Sequence, residues 1–263
     1  MRKIACVETY IKGKEEINHY GCFIIEPLDI GQSITIGNAL RRTLLSELSG
    51  YSITGIRIND LKHEFENSNQ IREDTLEIIL NIKEIIIKGP IFLRNRKLKS
   101  RIIVILNISG PTIITAGLFN ASLKKFSNFL NIINSSLYIC TLTGKSKFHL
   151  ELDIKKSKGY KIAEKSKFAN LQTLSLPLKP HTILIDAIYT PVKQVNFNIK
   201  KINDTKGNIK ESLYLSILTN GTVTPLKCLK ESFKLLLELF FPFFLDSSFL
   251  NLYNKLRLKK INA

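Results

Sequence analysis

Paired cysteines, long apolar runs and acidic residues are what this sequence has least of. Only four cysteines occur in 263 residues, Cys6, Cys22, Cys140 and Cys228, and no two form a Cys-x-x-Cys pair. That spacing argues against a zinc site of the usual kind and against a dense disulfide framework. It fits reduced thiols in a cytosol-like compartment. The four histidines, His19, His63, His149 and His181, are equally scattered, and each reads more simply as a surface or packing residue than as a ligand or base. The most apolar run, Leu235 to Leu245, is too short to span a bilayer and contains Glu238 and Pro242, so no membrane partner is expected. The first residues, Met1-Arg2-Lys3, are followed by no signal-peptide core or cleavage site. Phosphate-cradling glycine loops, metal-binding aspartate motifs and nucleophile elbows are absent as well. The expectation is a chain with no catalytic residue, no metal and no cofactor of its own.

Acid is in deficit: 22 Asp and Glu stand against 39 Lys and Arg, a formal charge of +17. A polyanion partner is one reading, because Lys and Arg attract phosphate and release counterions. Compositional drift is the other, since Lys, Ile and Asn are abundant together and AT-rich codons supply all three. The basic residues are spread along the chain, with short clusters at 94–101, 155–167 and 255–260. None is interleaved with aromatics as base stacking requires. At 44% apolar and 23% charged the chain is otherwise an ordinary globular sequence, long enough for one large domain or two modest ones.

Cys22 to Ile25 reads as a short buried strand ended by Pro27, and GQSITIGN as a turn with a second extended piece. Asn38 suits an N-cap and Gly50 a C′ position, which predicts a helix over 39–49. On that helix Leu40, Leu44, Leu45 and Leu48 form an apolar arc with Arg41 inside it, while Arg42 points away with Ala39, Ser46 and Ser49. Arg41 is thus expected at the core edge with its head paired, and Arg42 is either a solvated arginine or a contact for another molecule.

YSITGIRIN suggests a strand, and IREDTLEIILNIKEI a helix with Leu76, Ile79, Leu80 and Lys83 at helical spacing. Glu73, Asp74 and Glu77 suit the positive end of that helix. They could instead be paired catalytic carboxylates, but no base, nucleophile or metal ligand stands near them in sequence. From Ile85 to Glu151 short runs rich in Ile, Val and Thr predict a β-rich lobe. Further strands are expected in HTILIDAIYTPVKQVNFNI and ESLYLSILTNGT, with Asn220–Gly221 as a turn. Thr224 and Pro225 then open a second long helix. Its stripe of Leu226, Leu229, Phe233, Leu236, Leu237 and Phe240 opposes Lys227, Lys230, Glu231, Lys234 and Glu238. So wide a stripe needs a covering surface, within one core or in a helical dimer seam.

Four stretches together resemble the N-terminal domain of the bacterial-type RNA polymerase alpha subunit, especially its cyanobacterial and plastid forms. They are FIIEPLDIGQSITIGNALRRTLLSEL, HEF followed by IREDTLEIILNIKEIIIKG, ILIDAIYTPVKQVNFNI, and TNGTVTP with its helix. Their order and spacing match the family over nearly the whole chain. The resemblance implies an α+β fold with a discontinuous dimerisation subdomain, residues 1–50 and 176–263, and an inserted β-rich subdomain, residues 51–175. It implies a homodimer seam built from Leu40, Leu44, Leu48, Leu229, Phe233, Leu236, Leu237 and Phe240. Arg42, matching the second arginine of the family's GNALRR motif, would dock the beta subunit, with His63, Glu64, Glu73, Asp74 and Glu77 in the same surface. Lys83 would dock beta-prime.

The function so implied is assembly: the chain dimerises and carries the two large subunits of a DNA-directed RNA polymerase, which perform the nucleotidyl transfer. The family's linker and C-terminal helical domain, which binds promoter DNA, have no counterpart in the 263 residues, so DNA is expected to be met only through the assembled complex. A plastid is the expected location, with a bacterial cytoplasm as the alternative. A basic nucleic-acid-binding protein of ribosomal type is the competing function.

Overall fold

The computed structural model describes residues 3–12, 17–59, 61–90, 101–126, 130–145, 147–163, 181–203 and 208–245. In chain order the elements are β1 (Lys3–Lys12), β2 (Asn18–Leu28), α1 (Gln32–Ser46), β3 (Ser49–Ile58), α2 (Thr75–Lys83), β4 (Ile87–Lys88), β5 (Arg101–Ser109) and β6 (Thr112–Thr115). A 3-10 turn over Ala116–Leu118 leads into α3 (Phe119–Phe126), β7 (Asn131–Ile132), β8 (Tyr138–Leu142), β9 (Lys147–Lys158) and β10 (Tyr160–Lys161). The last are β11 (Ile183–Leu184), β12 (Ala187–Ile188), β13 (Val192–Asn203), β14 (Ile209–Thr219) and α4 (Pro225–Leu245). The class is α+β, as expected.

Both ends of the chain build one antiparallel sheet, ordered β1-β2-β14-β13, on which α1 and α4 pack. The middle builds a second sheet, ordered β5-β9-β3-β4-β7, with β11 paired to β3. Ile183 pairs with Ile56 of the middle sheet, Ala187 pairs with Lys161 in a separate two-stranded sheet of β10 and β12, and the chain re-enters the first sheet at Val192. The sheet change thus falls later than the expected boundary at 175/176, a position outside the described residues. At the other crossing, Ser49 and Gly50 already belong to β3. Gly50 cannot be larger: a Cβ there would lie 1.9 Å from the Tyr189 carbonyl oxygen. Its role is close passage of two backbones, not helix termination.

Helix α1 begins well before Asn38. Its first amides are met by a carboxylate from the far end of the chain: Gly31 N donates to Glu211 Oε1 at 3.2 Å and Ser33 N to Oε2 at 3.3 Å. Those backbone donors hold the Glu211 carboxyl below its ordinary pKa. The β-branched run Ile34–Ile36 is therefore helical, because a tertiary cap supplies what the local sequence withholds. Strand β2 likewise runs past Pro27 to Leu28, and β1, unforeseen in the sequence, forms the sheet edge beside it.

Ser33, Gly37, Leu40, Thr43 and Leu44 are the buried residues of α1. A Cβ on Gly37 would lie 2.8 Å from the Phe197 ring, so this glycine lets the helix settle onto β13. The core continues through Phe23, Leu28, Leu213, Leu215 and Ile217 into the middle sheet. There Arg101 Nη2 meets Asp153 Oδ2 at 2.8 Å, and its Nε donates to both carboxylate oxygens at 2.8 Å, with both side chains under a tenth exposed.

Candidate functional site

Arg41 and Arg42 are both exposed on the outer side of α1. The expectation of a core-edge, paired Arg41 is corrected by which residues the helix buries. Leu45 is 36% exposed and Thr43 is buried, its hydroxyl donating to the Ala39 carbonyl at 2.9 Å. The buried face therefore centres on Gly37, Leu40 and Leu44, leaving Arg41 about a quarter turn away and Arg42 nearly opposite. By helical spacing Ile34, Asn38 and Leu45 share that side of α1, and all three are exposed. The helix that carries them is fixed at one end by Glu211. Near its other end the Glu47 carboxylate meets Lys158 Nζ of β9 at 3.1 Å. The result is two exposed cations and exposed apolar side chains on a helix whose start is capped by Glu211.

The seam residues divide. Leu40, Leu44, Leu48 and Leu229 are at most 1% exposed within the single chain, so they belong to its own core and cannot face a second copy. Helical periodicity identified them as a covered stripe but could not say what covers it. Phe233 and Leu236 are partly buried against that core. Leu237 and Phe240, by contrast, are 69% and 62% exposed. Leu226, read from the sequence as part of the apolar stripe, is exposed, and Cys228 and Ser232 are buried in its stead.

His63, Asp74 and Glu77 are exposed, and Glu64 is half-buried, on the segment leading into α2 and on its first turn. Beside His63 stands Phe65, 73% exposed with ring centroids 6.5 Å apart, a residue quoted in the motif but assigned no role by sequence reasoning. An aromatic ring amid polar residues was the available signal. Glu73 is turned inward, where its carboxylate accepts from Thr141 N at 2.7 Å and from the Tyr138 hydroxyl. Burial, and then that carboxylate, push the Tyr138 pKa up. Asp74 accepts from Asn67 Nδ2 at 3.0 Å, while Asn67 Oδ1 accepts from Thr75 N at 3.3 Å, so Asn67 bridges the two ends of this loop. The expected stripe on α2 is inverted. Thr75, Ile78 and Ile82 face the core, while Leu76 and Leu80 are 45% and 62% exposed.

Lys83 lies 3.5 Å from Asp186 Oδ2, which also accepts from the Tyr160 hydroxyl at 3.0 Å. Ala163 N donates to the other oxygen at 2.8 Å, and this is the first of the bonds that lower the Asp186 pKa. No sequence signal joins residues a hundred positions apart. Lys83 and Leu80 sit beside a cleft of about 910 Å³ between the two sheets, whose walls include Tyr51, Ile188, Tyr189 and Asn220. Taken together, α1, the loop before α2 and the lip of this cleft present exposed charged and apolar side chains.

Comparison with known proteins places the chain. The model of the RNA polymerase Rpb3/RpoA insert domain matches residues 56–190, about half the length of the chain, from the end of β3 through β12. A DNA-directed RNA polymerase subunit alpha from Porphyra purpurea is 36% identical over 238 residues, covering 90% of this chain and 70% of that one. The proteins of the same name from Cyanidium caldarium and Cyanophora paradoxa are 37% and 38% identical, over 91% and 92% of this chain and 70% of theirs. On these matches, the chain belongs to the family of DNA-directed RNA polymerase alpha subunits.

Proposed function

We propose that this subunit works as a non-catalytic assembly scaffold: it pairs with a second copy and carries the beta and beta-prime subunits, which join ribonucleotides on the DNA template. The observation that carries the reading is the pair of exposed arginines on a helix packed on the first sheet and capped at its start by Glu211. A guanidinium held on a rigid element can form bidentate, charge-assisted bonds to a partner carboxylate with little ordering cost. Arg42, opposite the buried face, is the principal contact for beta, and Arg41 is added to it by its exposure. His63, Glu64, Asp74 and Glu77 extend that surface, with Phe65 as its apolar anchor. Glu73 shapes the loop rather than meeting a partner. Lys83, at the rim of the cleft, serves beta-prime.

On this reading the chain holds no metal or cofactor, touches no membrane, and meets DNA only through the complex. Its workplace is a plastid, a reading supported by the algal sources of the relatives. The competing role as a free-standing basic nucleic-acid binder is displaced by the family membership.

Arg42→Ala tests the docking. It should leave sedimentation of the chain unchanged and lower co-purification of beta at least about tenfold, the equivalent of 1.4 kcal/mol. Recovery of beta at the wild-type yield would contradict the assignment. Pairing of the chain should also survive high salt, because apolar burial rather than charge holds it. A monomer in high salt argues against the scaffold.

A further inference from the structure

Among the described elements the chain passes between its two main sheets twice, from α1 into β3 over residues 46–50 and from β12 into β13 over residues 188–192. The two passages run against each other. A Cβ on Gly50 would lie 1.9 Å from the Tyr189 carbonyl oxygen, far inside contact distance. A third stretch closes the crossing. Tyr189 N donates to the Gly159 carbonyl at 2.9 Å, while Ser157 and Lys158, just ahead of that glycine, pair with Gly50 and Ser49. Gly159 turns the chain from β9 to β10 with a φ of +67°.

Tyr189 is not free to retreat from Gly50. Its side chain is 3% exposed, its neighbour Ile188 pairs with Tyr160, and the Pro191 carbonyl accepts from Asn220 N at 2.9 Å. A side chain at position 50 is therefore accommodated by turning the two sheet units relative to each other. On one flank there is room to turn. The cleft of about 910 Å³ is lined by Gly50, Tyr189 and Thr190 of the junction and by Leu80 and Lys83 of α2. Along that flank the angle between the units is set by the junction, as at a hinge, rather than by close packing.

We infer that Gly50, Gly159 and Tyr189 are positioning residues of the scaffold. Their junction sets the angle between the Arg42 side of α1, which ends at Ser46 just ahead of Gly50, and the surface of residues 63–77 in the middle unit. A single partner then meets both faces at once. The inference rests on the docking of beta proposed above and adds what that docking requires of the fold. A partner that engages two faces gains the second contact at high effective concentration when their spacing is right, and loses it when the spacing is wrong. Fixing the spacing beforehand also removes an ordering cost from binding.

The test reads angle and assembly in the same chains. With Cys6→Ser and Cys22→Ser in place, Glu84→Cys and Lys193→Cys carry spin labels at exposed positions lining the cleft, while Cys140 and Cys228 stay buried. Double electron–electron resonance should give one narrow distance in the otherwise wild-type chain. Gly50→Ala should shift or broaden that distance and lower co-purification of beta at least about tenfold, although every docking side chain is intact. Gly159 supplies a second pair of variants should Gly50→Ala fail to fold. Asparagine tolerates a positive φ and a β-branched residue does not, so Gly159→Asn should keep both the distance and the yield of beta while Gly159→Val loses both. A junction that merely stabilised the fold would lower the Tm and leave the distance alone. An altered distance with full recovery of beta, an unaltered distance in Gly50→Ala and Gly159→Val, or a broad distance at the outset overturns the inference. If Arg42→Ala lowers recovery and the junction variants do not, the junction alone is refuted. If Arg42→Ala recovers beta at the wild-type yield, the docking reading falls and takes the positioning role with it.

Discussion

Leu44→Ala separates a core leucine from a seam leucine. Leu44 is 0% exposed and belongs to the cluster that includes Phe23, Leu40 and Leu215. Removing its isobutyl end should therefore cost about 2–5 kcal/mol, the transfer term plus the cavity left behind. For a chain of this size that corresponds to a fall in Tm of roughly 4–20 °C. A contact between copies would behave differently, because binding stabilises by mass action and fades on dilution. Wild type and variant should be melted by circular dichroism at two protein concentrations a hundredfold apart. The gap between their Tm values should be the same at both, and sedimentation should show pairing retained at temperatures below the melt. A variant that matches wild type when dilute, and differs only by failing to pair, would refute the placement of Leu44 in the protomer core.

Asp153→Ala leaves Arg101 buried without its carboxylate and should destabilise the chain by about 3–5 kcal/mol in urea titration, whereas Arg101→Met with Asp153→Leu should recover most of that loss. Glu211→Gln weakens the cap on α1 through a pH-dependent effect. The folded carboxyl is held low by the Gly31 and Ser33 amides, so its stabilisation is complete above the ordinary glutamate range and lost as pH falls through the depressed folded value. The stability gap between wild type and variant should accordingly be widest near neutrality and close in acid; a gap that grows in acid would contradict the cap. Among Cys6, Cys140 and Cys228, native maleimide labelling at pH 8 should reach Cys6 first, because burial pushes the other two thiols up to about 12. Mass spectrometry of labelled peptides reads the order directly.

Much of the chain was open to local reading. Pro225 does open α4, the RIIVILNIS and KFHLELDI runs lie in strands, and the four motif stretches together carried the family. Local reading failed where a distant group decided. The start of α1 follows Glu211, not Asn38; Gly50 answers to Tyr189; Lys83 answers to Asp186. The role of Glu73 likewise depends on β8, which no helix-dipole argument brings near it.

Periodicity and motif order, then, were enough for the α+β class, the amphipathic helices and the kinship, because each is written in residues within a few turns of one another. What faces each apolar stripe was left to the tertiary structure. A leucine row looks the same whether its cover is the chain's own sheet or a second molecule, and only packing assigns Leu40 and Leu44 inward while leaving Phe240 and Ile11 bare.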